Sequence, residues 1–143
     1  MMSHAPIDMR LRVPMHDESD VVVARRRTRE LALQQGLSAA QTEALATAVT
    51  EIARNILVHA GSGELFFAAG EKASRRGVIV TARDHGPGIA HIEQAMQDGF
   101  STRGSLGFGL PGARRLVDEF ELESTLGIGT TVTLRKWAGA ESG

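Results

Sequence analysis

The chain contains no cysteine. That excludes disulfides, thiolate zinc sites and cysteine nucleophiles together. Proline is scarce, with 4 in 143 residues. Charge is nearly balanced, at a formal net of -1. No global basic field therefore draws the chain onto nucleic acid or an anionic membrane. Met1 to Arg12 holds no apolar core of signal-peptide length. No apolar run approaches the roughly 18 residues that a membrane helix needs. These absences lead us to expect a cytoplasmic protein with no nucleic acid or membrane partner.

Hydrophobic residues make up 42% of the chain and charged residues 23%, an ordinary globular mixture. The length supports one core and not two. We expect a single domain over 1–137 and a disordered tail over 138–143. Glycine is in excess at 16 residues, clustered between Gly86 and Gly129. Such clustering marks backbone that approaches something closely.

Met9 to Val13 reads as a short strand. Val21 to Gln35 reads as a helix, with N-caps offered by Asp17, Ser19 and Asp20 and a stop at Gly36. Ser38 opens a second helix, Gln41 completes its capping box, and the pattern runs to about His59. Leu45, Ala48, Val49, Ile52, Ile56 and Leu57 share one face of it. Glu64 to Ala69 and Gly77 to Arg83 read as a hairpin around a polar turn containing Lys72, Arg75 and Arg76. A short helix is expected over Ala90 to Gln97, then a glycine-rich lid over Asp98 to Gly109. Leu110 to Glu119 reads as a helix, with Leu116, Val117 and Phe120 facing inward. Glu121 to Thr125 and Thr130 to Trp137 read as a closing pair of strands. Strands paired in hairpins and helices in runs favour a mixed or antiparallel sheet with helices on one face.

Four clusters carry chemistry. Glu51 and Asn55 stand four apart on the second helix and point to one side. The carboxylate can take a proton and the carboxamide can ligate magnesium through oxygen. Alone, such a pair reads more simply as a solvated helix face, yet asparagine is a poor helix interior residue. Asp84 ends a buried strand and is followed by Gly86 and Gly88. A carboxylate there can accept from an amino group such as adenine N6, and glycines leave room for a flat ring. An ordinary Asp-Gly turn is the alternative. Gly104 to Gly112 precedes a helix, where backbone N–H groups make an anion site. Gly107, Gly109 and Gly112 also spell G-x-G-x-x-G, but neither a preceding first strand nor the following acidic residue of a dinucleotide site is present. No Walker lysine follows Gly109. Gly127-Ile-Gly129-Thr130 is by itself a hairpin turn.

In this order the four clusters resemble the nucleotide boxes of the GHKL ATPases, over about Thr47 to Thr131. The remaining chain is too short for a histidine-bearing dimerisation helix pair or a transducer domain, which points to the stand-alone anti-sigma-type serine kinases. Glu51-Ile-Ala-Arg-Asn55, Asp84-His-Gly-Pro-Gly-Ile89, Asp98-Gly-Phe-Ser-Thr102 and Gly107-Phe-Gly-Leu-Pro-Gly112 look like the RsbT-type switch kinases of the stressosome. Arg114 to Phe120 continues the likeness. The resemblance implies an α/β two-layer sandwich of the Bergerat type and a serine/threonine kinase using ATP and Mg²⁺. It implies Glu51 as general base, Asn55 as magnesium ligand, and Asp84 on adenine with Gly86, Gly88 and Thr130 beside it. Gly104, Gly107 and Gly109 would wrap the phosphates. Apart from the resemblance, the site has few fixed cations, and Arg103 is our candidate for an added positive charge near the phosphates. Arg54 would reach phosphate, partner or a surface salt bridge. The implied partners are STAS-domain substrates and a serine phosphatase. The rival expectation is a non-catalytic nucleotide-gated module such as an anti-sigma factor. The five histidines match no metal spacing, and His85 is expected to face solvent.

Overall fold

The computed structural model describes residues 11–89, 96 and 109–139. Helix α1 (Glu18–Gln34) starts three residues before Val21, because two acids satisfy its first amides. Asp17 accepts from the Ser19 N–H at 2.9 Å, and Asp20 reaches back to the Asp17 N–H at 3.2 Å. Helix α2 (Ala39–His59) opens on the expected capping box. Ser38 Oγ accepts from the Gln41 N–H at 3.0 Å, and Gln41 Oε1 accepts from the Ser38 N–H at 2.8 Å. Leu45, Ala48, Val49, Ile52 and Ile56 are buried along one face of α2.

Five strands form one sheet: β1 (Leu11–Met15), β2 (Gly63–Lys72), β3 (Arg75–Asp84), β4 (Glu119–Thr125) and β5 (Gly129–Trp137). Their order is β1-β2-β3-β5-β4, and every neighbouring pair is antiparallel. The period-two alternation of strand side chains sends one set to the helices. Leu65, Phe67, Val78, Val80, Ala82, Val132 and Leu134 meet α1, α2 and the third helix in a single core. On the reverse face Glu64 lies between Arg83 at 2.7 Å and Arg12 at 2.6 Å. Those two guanidiniums, Arg83 first, hold its carboxyl below the usual carboxylate range. Arg83 also stands over the Phe66 ring, 5.2 Å from its centre.

Three boundaries differ from the sequence reading. The first strand, expected to end at Val13, runs on to Met15, while Met9 and Arg10 lie outside the described residues; Pro14 is tolerated because β1 (Leu11–Met15) is an edge strand. Helix α3 (Leu110–Leu116) stops short of Glu119, since Val117 is extended and the Asp118 N–H donates to the Arg135 carbonyl at 2.9 Å. Sheet pairing takes over there, and β4 begins at Glu119. The β2–β3 hairpin is also longer than expected. Glu71 pairs with Arg76 and Lys72 with Arg75, which leaves only Ala73 and Ser74 as the turn.

Ala73 and Ser74 both have positive φ, at 52° and 68°. A two-residue hairpin turn of this hand prefers Asn-Gly, and other residues there are strained. Replacing Ala73 with Asn and Ser74 with Gly is therefore expected to stabilise the fold by about 1 kcal/mol, raising Tm by roughly 3–5 °C. Thermal melting followed by circular dichroism checks this; an unchanged Tm would mean the turn stores no strain.

Past Trp137 the chain is still held. Ala138 is buried and its N–H donates to the Arg76 carbonyl at 2.7 Å. Residues 140–143 of the expected tail lie outside the described residues, as does the expected helix over Ala90 to Gln97 apart from Met96. The lid expected over Asp98 to Gly109 lies outside them except for Gly109.

Candidate nucleotide site

The second half of α2 carries Glu51, Asn55 and His59 at four-residue spacing, which makes one stripe on the helix. β3 delivers Asp84 to the same end of the fold. Asp84 Oδ1 accepts from the Gly86 N–H at 2.9 Å and from the Thr130 N–H at 3.3 Å. The carboxylate is thus fixed both to its own loop and to the start of β5. Among the described residues no hydrogen bond reaches its other oxygen. The Thr130 hydroxyl lies 2.9 Å from Ser124 Oγ, and Ser124 Oγ accepts from the Ile89 N–H at 2.7 Å. The Gly127 N–H donates to the Pro87 carbonyl at 2.9 Å. Asn55, His59, Asp84, Gly88 and Thr130 line one small pocket.

The glycines around Asp84 are required by contacts of protein on protein. A Cβ added at Gly86 would stand 2.5 Å from the Ala60 Cβ. One added at Gly88 would stand 2.5 Å from the Thr125 carbonyl oxygen. At Gly129 it would strike the Asp84 carbonyl. The end of α2, the loop over 85–88 and the β4–β5 turn interlock at these points.

Asn55 Oδ1 is buried and has no hydrogen-bond partner among the described residues. An orphaned buried acceptor costs about 1–3 kcal/mol, so it calls for a ligand or another reason. A carboxamide oxygen suits a hard cation. Among the described residues no three acidic, histidine or cysteine side chains gather to hold a metal. A magnesium ion there would keep water and phosphate oxygens among its ligands, as is its habit. Two residues of the site escaped the sequence reading. His59 was legible in principle, one helical turn beyond Asn55. Ser124 was not, because its place follows from the cross-strand register with Thr130.

Glu51 lies at the border of this region. It is exposed and lines a groove between α1 and α2 with Arg25, Arg29, Thr50 and Arg54. Arg25 Nε donates to Thr50 Oγ1 at 3.2 Å. Arg29 is engaged by Glu43 through two bonds of 2.9 Å. Arg54 pairs with Glu18 at 3.6 Å, with both side chains at least half exposed, so the salt bridge is what the structure shows for it. Gly109, the residue before α3, lies against the Glu51 carboxylate. His85 is exposed. Arg103, Gly104 and Gly107 lie outside the described residues.

Residues 15–136 match the histidine kinase-like ATPase domain. The chain belongs to that family. It is 42% identical over 120 residues to the serine/threonine-protein kinase RsbT of Bacillus subtilis (strain 168), a match covering 84% of this chain and 90% of that protein. It is 34% identical over 104 residues to the anti-sigma F factor of Thermoanaerobacter sp. (strain X514), covering 66% of this chain and 69% of that protein. A similar likeness, 34% over 98 residues, links it to the anti-sigma F factor of Geobacillus thermodenitrificans (strain NG80-2), with 63% and 65% covered. The RsbT-type serine/threonine kinase group read from the four clusters is borne out, and the antiparallel sheet with its helices is the α/β sandwich expected of it. Among the described residues no helix is long and apolar enough to cross a membrane.

Proposed function

We propose that this kinase uses ATP and Mg²⁺ to phosphorylate a serine or threonine of a STAS-domain antagonist in the cytoplasm, and that its complexes switch a partner serine phosphatase. One observation carries the proposal. Asn55, whose Oδ1 is buried without a hydrogen-bond partner among the described residues, and Asp84 line the same pocket, and a carboxamide suits a hard cation while a carboxylate suits an amino donor. When bound, ATP supplies the phosphoryl group and Mg²⁺ neutralises charge along its path. Asn55 would hold the ion through Oδ1. Asp84 would accept from the adenine amino group, with Gly86 and Gly88 shaping the loop and Thr130 closing the pocket wall. Glu51 would take the proton of the substrate hydroxyl, which enters along the groove beside Arg25 and Arg29. Arg103, Gly104, Gly107 and Gly109 complete the proposal as the phosphate-facing segment.

The test is transfer. The purified chain is incubated with γ-labelled ATP, Mg²⁺ and a purified STAS-domain protein. Label on a serine or threonine of that protein is the expected result. Tight nucleotide binding without transfer to any STAS-domain protein would sink the kinase reading. That outcome would favour a nucleotide-gated binding module, the reading that the likeness to anti-sigma F factors supports.

A further inference from the structure

We infer that Gly109 is a positioning residue for the Glu51 carboxylate: the missing side chain at 109 is the space in which that carboxylate stands. The inference rests on the proposed role of Glu51 and adds to it a determinant on another element. Glu51 projects from α2 and Gly109 immediately precedes α3. A Cβ built on Gly109 falls 2.5 Å from Glu51 Oε1 and 3.5 Å from both Glu51 Cβ and Cδ. The overlap is therefore at the carboxylate oxygen, the atom that would accept the proton. Gly112, three residues on, presents the opposite case, with nothing within 4 Å of its added Cβ. Crowding is thus specific to 109 and not general along α3. Gly109 also has a φ of 66°, where a glycine is at ease and an L side chain is strained.

Glu51 is a flexible side chain and can swing away from an intruding methyl group. The fold can therefore survive an alanine at 109, while the carboxylate loses its place. A displacement of about 1 Å costs roughly a hundredfold in rate when a reacting group must be aligned. The expected result for Gly109→Ala is a fall of that order in kcat for transfer, larger than any change in KM for ATP. Aspartate at 51 is shorter by one methylene and withdraws the carboxylate from the methyl group. On a Glu51→Asp background the same Gly109→Ala change should consequently cost far less.

Single-turnover transfer by the four proteins of this cycle is the experiment. A loss that shrinks on the Glu51→Asp background supports the inference. Equal losses on both backgrounds overturn it, because strain or lost phosphate contacts at 109 would act whatever stands at 51. Should Gly109→Ala fail to fold, the unmodified full chain decides the matter. A nuclear Overhauser contact between the Glu51 side-chain methylenes and the Gly109 α-protons supports the inference, and its absence overturns it. If the unmodified chain transfers no phosphate at all, the kinase reading fails instead, and the same contact measurement still decides the position of Glu51.

Discussion

Asp84→Asn is expected to lose nucleotide binding and keep its fold. The two effects separate because the two oxygens of Asp84 have different work. Oδ1 accepts from Gly86 and Thr130, and a carboxamide oxygen can do the same. The loop and the start of β5 therefore stay in place. In the proposed site the other oxygen becomes an NH₂ group, which would meet the adenine amino group donor to donor. One charge-assisted hydrogen bond is lost and two donors are left unsatisfied, a cost of about 3 kcal/mol or more, which is at least ~100-fold in Kd. Titration with a fluorescent ADP analogue reads this directly. Affinity equal to that of the unaltered chain would remove Asp84 from the adenine site and undo the box assignment with it.

Glu51→Ala is expected to bind nucleotide normally and to transfer phosphate at a rate lower by about 10²–10⁴-fold. Glu51 lines the arginine groove and not the pocket around Asp84, so its removal leaves Asn55, Asp84 and Thr130 undisturbed. It is also exposed, and alanine is a good helix former, so α2 should not weaken. A positioned general base is worth roughly 10²–10⁴ in rate, and the loss should fall in kcat. The γ-labelled transfer assay gives the answer. Undiminished transfer would show that another group, or no group, takes the hydroxyl proton.

Much of this architecture was legible because local rules and tertiary packing agree. Helix α2 shows it best: Ser38 and Gln41 fix its start, and one apolar face runs unbroken to Ile56. The hairpin and the closing strands follow alternation in the same way. Where readings failed, a distant partner overruled a local pattern. Val117 to Phe120 continues a helical spacing, but Asp118 bonds to Arg135 and the segment joins the sheet. Arg75 and Lys72 look like turn residues by polarity, yet they pair across the hairpin. The site shows the same division. Glu51, Asn55 and Asp84 are visible as residue types at telling positions. The reason for Gly86, Gly88 and Gly129 is not, since each is small to fit a segment remote in sequence. Ser124 likewise acquires its place only through register.

Trp137 is the sole tryptophan, and it is buried at the end of β5 opposite the pocket. Its indole N–H donates to Glu119 at 3.0 Å, and its ring lies over Gly77. Thr130 is the second residue of the same strand, so about 23 Å of extended chain separates the two at ~3.3 Å per residue. The intrinsic emission of this protein therefore comes chiefly from one buried site, remote along the strand from the proposed nucleotide pocket. A single cuvette can report both signals: tryptophan fluorescence for integrity, and a labelled nucleotide for occupancy. A variant that loses its ligand is then told apart from one that has lost its fold.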